Sequence, residues 1–184
     1  MALSAVAAAL SLSPPRRVLR RARRYVGIRE VQTNAGFSDA RFQEMMRSAG
    51  WYSSAQWCAF FVRMVLLSLC RPGSEGYKFW NGRISANTNV TWDNLQRPDS
   101  RFFEISDTPL PGSIAIYGGI VPDYRVGHIE FVDRVFRDGS YSVVSGNDTF
   151  PDGTQGVVAS RRKATGPNAS KYKILGFIKI KRLS

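Results

Sequence analysis

The chain has 184 residues, 43% of them apolar and 22% charged. That length holds one core of ordinary size, and that balance excludes wholesale disorder and fibrous repeats. The formal charge of +12 points to an anionic partner: nucleic acid, a wall polymer or a membrane surface. Residues 1–28 hold six Arg and no acid, residues 161–184 hold eight Lys and Arg and no acid, and the stretch between carries twelve basic against fourteen acidic residues. The sequence therefore divides into a basic N-terminal segment with its first helix (1–28) and a domain (29–184) that is near neutral until its basic last strand. The longest apolar run, Cys58 to Cys70, contains Arg63 and is too short to cross a bilayer. Residues 2–12 (ALSAVAAALSL) have the texture of a secretion-signal core. No basic segment precedes them and the Arg cluster follows, which argues against a cleaved leader.

Val18, Ala22, Tyr25 and Val26 fall at helical spacing within RRVLRRARRYV (16–26), with Arg on the other face and Gly27 as the stop. After a turn-rich stretch, Ser38 is the expected N-cap of a helix whose apolar face is Phe42, Met45, Met46 and Ala49. A third helix is expected from about Gln56 through CAFFVRMVLLSL to the Arg71-Pro72-Gly73 break. It is apolar nearly all round, so it should be the buried central helix. Residues 77–111 read as loops with a short helix. Strands are expected at 113–117, 127–137, 141–145 and near 174–180, with Asp138-Gly139 as a hairpin turn. Helices followed by an antiparallel sheet make an α+β fold.

The only histidine, His128, opens a strand, and Cys58 opens a helix. A thiol at a helix N-terminus sits where the dipole and free N–H groups favour the thiolate, and a neighbouring imidazolium favours it further. The same N–H groups can hold an oxyanion in acyl transfer. A helix-borne Cys met by a sheet-borne His is a nucleophile and base arrangement of the papain-like kind. A cysteine on an apolar helix is ordinarily a small buried hydrophobe, and Cys70 is read so. On one helix the two thiols are about 18 Å apart, beyond the roughly 7 Å a disulfide spans. One His and two separated Cys make no zinc site, and no phosphate loop is present, so neither metal nor cofactor is expected.

The segments YVGIREVQTNAG, QWCAFFV, LPGSIAIY, GHIEFV, VSGN and ILGF occur in the order seen in the CHAP amidohydrolase/peptidase families, and most resemble their small phage and bacterial branch. The likeness runs over roughly residues 22–178. It implies Cys58 as nucleophile, His128 as general base and Asn147 as the polar residue that orients His128. It further implies cleavage of amide bonds in peptidoglycan, as an N-acetylmuramoyl-L-alanine amidase or a peptide endopeptidase, by a phage lytic or virion-borne enzyme that reaches the wall through a holin or a tail. Gln56 is a candidate oxyanion donor or N-cap. Arg16, Arg17, Arg20, Arg21, Arg23 and Arg24 are candidates for contact with an anionic wall polymer or membrane surface, with nucleic acid disfavoured. Ser145 and Ser113 depart from the family pattern, which often carries Glu and Asp there. The rival is a non-enzymatic basic virion or wall protein with a CHAP-like core.

The hairpin register decides which side chain accompanies His128. If Asp138-Gly139 is a two-residue loop, Arg137 pairs with Ser140 and His128 lies opposite Thr149. Asn147 then shares the His128 face and Asp148 points away. A one-residue bulge, for which Gly146 is the natural place, would invert this.

Overall fold

A computed structural model describes residues 12–97, 99, 101–119, 127–163 and 172–184. The leader-like stretch before Leu12 lies outside the described residues. Helix α1 (Pro14–Ala22) begins with two prolines, where the first turn needs no N–H donor, and buries Val18, Leu19 and Ala22. A 3₁₀ turn, Arg23–Tyr25, extends it. The turn-rich stretch that follows forms a small ribbon of β1 (Glu30–Gln32) and β2 (Gly36–Phe37). Helix α2 (Ala40–Ser48) is capped by Asp39, whose carboxylate accepts from the Phe42 N–H, so the helix starts one residue later than Ser38 would place it.

Helix α3 (Cys58–Leu67) is the central helix the sequence calls for. Every residue in it is buried except Arg63. That guanidinium donates to the carbonyls of Ala49 and Ile84, at 2.7 and 3.2 Å. The region expected to be mostly loop carries two helices, α4 (Glu75–Arg83) and α5 (Thr88–Leu95), each capped by a side chain, Ser74 and Asn87. These caps offset the weak apolar periodicity that hides both helices in the sequence.

Six strands form one antiparallel sheet in the order β3-β8-β4-β5-β6-β7. They are β3 (Phe103–Ser106), β4 (Ile114–Gly119), β5 (Gly127–Val135), β6 (Tyr141–Thr149), β7 (Gln155–Arg162) and β8 (Tyr172–Ile180). The α+β expectation holds. One face, with Ile116, Ile129, Phe131 and Val144, joins the main core around α3. The other face buries Tyr117, Val132, Tyr141 and Phe177 as a second cluster. Tyr141 and Phe177 lie three strands apart, about 14 Å on a flat sheet. Their ring centroids are 5.7 Å apart, so the sheet curls and this face is concave.

The β5–β6 hairpin differs from the two-residue loop in a way that matters below. The Phe136 N–H donates to the Ser140 carbonyl at 2.8 Å, which leaves a three-residue loop with Gly139 at φ +78°. A second irregularity near Asp133 brings Phe131 opposite Val144. The register has slipped by two residues, so the pairing of His128 with Thr149 does not occur. Strand β6 then breaks step between Ser145 and Asp148, at Gly146-Asn147, with Asn147 at φ +59°.

Candidate active site

Cys58 is the first residue of α3, and Trp57 occupies the N-cap without closing the helix by its side chain. The first-turn N–H groups beside the thiol are therefore not covered by a local cap. The Trp57 indole is fully buried and donates to the Glu30 carboxylate. Its backbone N–H donates to Asn147 Oδ1 at 2.6 Å. Asn147 Nδ2 in turn donates to Gln155 Oε1 at 3.1 Å. The β6 bulge thus reaches across to the main-chain entry of the cysteine helix. Gly146 makes that approach possible: a Cβ there would sit 2.7 Å from Phe61 Cβ.

On β5 the alternation that sends Ile129 and Phe131 to the helix side sends His128 and Glu130 to the concave side. Gly127, just before His128, is tight against neighbouring backbone: a Cβ would lie 2.8 Å from the Tyr117 carbonyl. The His128 side chain is hydrogen-bonded to Cys58. Its Nε2 lies 2.8 Å from Ser145 Oγ and 3.3 Å from Glu130 Oε2. Glu130 is wholly buried. It accepts from the Tyr117 hydroxyl at 2.7 Å, and from Arg162 Nε and Nη2 at 3.1 and 2.9 Å. Arg162 Nη2 also pairs with Asp148, and the Tyr117 and Tyr141 hydroxyls share a 2.7 Å hydrogen bond.

The charges in this cluster depend on one another. Burial alone would lower the His128 pKa. The hydrogen bonds to Cys58 and Glu130 and their charges outweigh it, and the net displacement is upward. Burial pushes the Glu130 carboxyl up, but His128 and Arg162 together hold it below the usual carboxylate range. The Tyr117 phenol is driven upward by burial and by the adjacent carboxylate, so it stays a donor.

Gln56, Cys58, His128, Asn147, Arg162 and Tyr172 are among the residues that line a cleft of about 340 Å³. The three site residues read from the sequence are therefore together, but their contacts differ from the expected ones. Asn147 does not bond the imidazole. The bulge at Gly146-Asn147 turns its amide to Trp57 and Gln155, and Asp148 takes the side facing Arg162 and Ser160. Gln56 lies exposed at the cleft and does not cap α3. Glu130 and Arg162 join the site in the structure without being singled out by the sequence motifs. The sequence signal for Glu130 is an acid two residues after the histidine, set among the apolar Ile129, Phe131 and Val132. Arg162 carried none, because β7 was not expected.

Of the six N-terminal arginines, Arg16, Arg20, Arg23 and Arg24 are exposed, while Arg17 and Arg21 are half-buried. Arg17 donates to the Leu69 carbonyl and Arg23 pairs with Asp133. Among the described residues, no three His, Cys, Asp or Glu side chains converge as a metal site.

No curated protein and no solved structure matches this chain. The family model for the CHAP domain matches residues 49–147, more than half of the chain and a span that includes Cys58, His128 and Asn147. With a thiol at a helix start hydrogen-bonded to a strand-borne imidazole inside that span, the chain belongs to the CHAP domain family.

Proposed function

We propose that this chain hydrolyses an amide bond of peptidoglycan through a Cys58 thioester, as an N-acetylmuramoyl-L-alanine amidase or a peptide endopeptidase. Family membership gives the coarser statement, a hydrolase of the amidase/peptidase kind acting on peptidoglycan. The observation that supports the finer one is the Cys58–His128 hydrogen bond at the wall of a polar cleft, with the thiol on the first turn of α3. With Nε2 facing Glu130 and Ser145, Nδ1 is the nitrogen left to exchange a proton with Cys58.

The chemistry then follows the positions of the groups. The Cys58 thiolate attacks the amide carbonyl carbon, and the first-turn N–H groups of α3 receive the developing oxyanion, with Gln56 at the rim as a second donor. The imidazolium gives its proton to the leaving nitrogen as the C–N bond breaks, and an acyl thioester remains. Neutral His128 next takes a proton from water, and the resulting hydroxide attacks the thioester. Cys58 departs as thiolate, and the product is a carboxylic acid. The exposed arginines of α1 would dock the enzyme on anionic wall polymer, in keeping with a phage lytic or virion-borne role.

Purified sacculi test the reading. Wild type should clear turbidity and release new amino groups, and Cys58→Ala should lose this by at least 1,000-fold at unchanged folding. Mass spectrometry of the soluble fragments would name the bond. Equal clearing by Cys58→Ala, or none by wild type, would reject the reading in favour of a non-enzymatic wall-binding protein.

A further inference from the structure

His128 needs a partner that fixes its ring and supports the imidazolium, and the bulge has removed Asn147 from that task. Two groups remain at Nε2. Ser145 Oγ, at 2.8 Å, is neutral. Glu130 Oε2, at 3.3 Å, carries a charge and lies on the same strand and face, two residues on.

A carboxylate with no solvent exposure is expensive to keep ionised unless it is paired. Glu130 is paired on three sides. Arg162 meets both of its oxygens in a fork, the Tyr117 hydroxyl donates to Oε1, and the imidazole faces Oε2. The fork fixes the plane of the carboxylate, so Oε2 is presented to Nε2 rather than left to rotate. Arg162 is itself shared with Asp148, which is only partly buried. The other titratable groups around the ring are Tyr117 on β4, Tyr141 on β6, Tyr172 on β8 at 6.3 Å between ring centroids, and Cys58 on α3.

We infer that Glu130, clamped by Arg162, is the positioning carboxylate of the site: it sets the tautomer and orientation of His128 and stabilises its imidazolium. This rests on the Cys58–His128 reading above and adds the third group to it. Glu130 touches no reacting atom, so it acts through His128. Asp148 and Tyr117 serve in turn to hold Arg162 and Glu130. A structural ion pair would account for Glu130 and Arg162 alone. It would not account for the carboxylate oxygen turned to a histidine that is also bonded to a thiol.

The chain has one histidine, so imidazole NMR signals report on His128 without ambiguity. In Glu130→Gln we expect the His128 titration midpoint to fall by about one unit or more, since the negative charge that favours the imidazolium is gone. Alkylation of Cys58 by iodoacetamide at neutral pH should slow about tenfold, and kcat on sacculi should drop with KM little changed. Because Glu130→Gln leaves Arg162 short of a partner, Glu130→Gln/Arg162→Gln takes its place if the single variant fails to fold; it removes a cation along with the carboxylate, so its His128 midpoint is compared with that of Arg162→Gln rather than of wild type. A folded variant with an unmoved His128 midpoint and wild-type Cys58 alkylation would overturn the inference. The NMR and alkylation readouts need no wall substrate. If wild type clears no sacculi while the midpoint still falls, it is the peptidoglycan reading that fails and not this one.

Discussion

Cys58 and Cys70 begin and follow the same helix, yet their thiols face different surroundings. Both are largely buried and neither is in a disulfide. Cys70 Sγ donates to the carbonyls of Leu66 and Leu183, at 3.3 and 2.6 Å, and burial pushes its pKa up to about 11. At pH 8 it is protonated and already engaged as a donor. Cys58 instead lines the cleft and shares a hydrogen bond with His128. Since the thiolate is the nucleophile in alkylation, limiting iodoacetamide at pH 7–8 should modify Cys58 at least ten times faster than Cys70. Peptide mapping checks this, and equal labelling under native conditions would remove Cys58 from the nucleophile's role. Denaturant should abolish the difference, because it belongs to the fold and not to the local sequence.

At the scale of elements, the bulge in β6 and the entry to α3 form one unit. Asn147 accepts the Trp57 N–H across ninety residues of sequence, and its positive φ is a conformation that Asn tolerates better than most residues. Asn147→Ala should cost about 1–2 kcal/mol of stability by leaving that N–H without its acceptor. It should also lower kcat by loosening the turn that presents Cys58, while the His128 titration midpoint stays where it is. Asn147→Gly separates the two causes, since it relieves the backbone and still lacks the acceptor: its kcat should remain low. A His128 midpoint that moved with Asn147 as far as with Glu130 would mean that the amide does act on the imidazole. Much of this architecture was legible beforehand. The buried helix after Trp57, the strand at Gly127-His128 and the hairpin at Asp138-Gly139 all follow from period and turn chemistry. Register was not, because it depends on whether the loop holds two residues or three and on a bulge that a single Gly only permits. Strand β7 escaped notice because its apolar centre is just Val157-Val158, followed by Ala159 and a polar SRR. With β7 unread, Arg162 had no place beside Glu130, and the polar support of His128 could not be assembled from the sequence.

Across the whole molecule, the basic excess does not spread evenly over the two ends. At the C-terminal end Arg161 pairs with Asp138 at 2.8 Å, Lys179 and Lys181 both reach Glu104, and Arg162 is spent inside the site. At the N-terminal end Arg23 pairs with Asp133, but Arg16, Arg20 and Arg24 have no acidic partner among the described residues. Arg16 and Arg20, four residues apart on α1, and Arg24 in the 3₁₀ turn that extends it together make an exposed basic stripe. Arg24 also borders a recess of about 220 Å³ with Arg21 and Arg41. The opposite face of α1 is anchored by Val18 and Ala22, which are fully buried in the main core. The stripe is therefore held rigidly to the body that carries the cleft. A polymer bound there by counterion release should lose affinity steeply with added salt. Arg16→Gln/Arg20→Gln/Arg24→Gln spares Arg17 and Arg23, whose side chains bond the fold, and should weaken binding to phosphate-bearing sacculi while flattening that salt slope. Sacculi stripped of phosphodiester polymer should bind wild type and the triple variant alike. Turnover of a small soluble muropeptide should be unchanged, because none of the three side chains lines the cleft. If soluble turnover falls with the triple change, α1 acts on the catalytic cleft itself, and the stripe is not a docking surface.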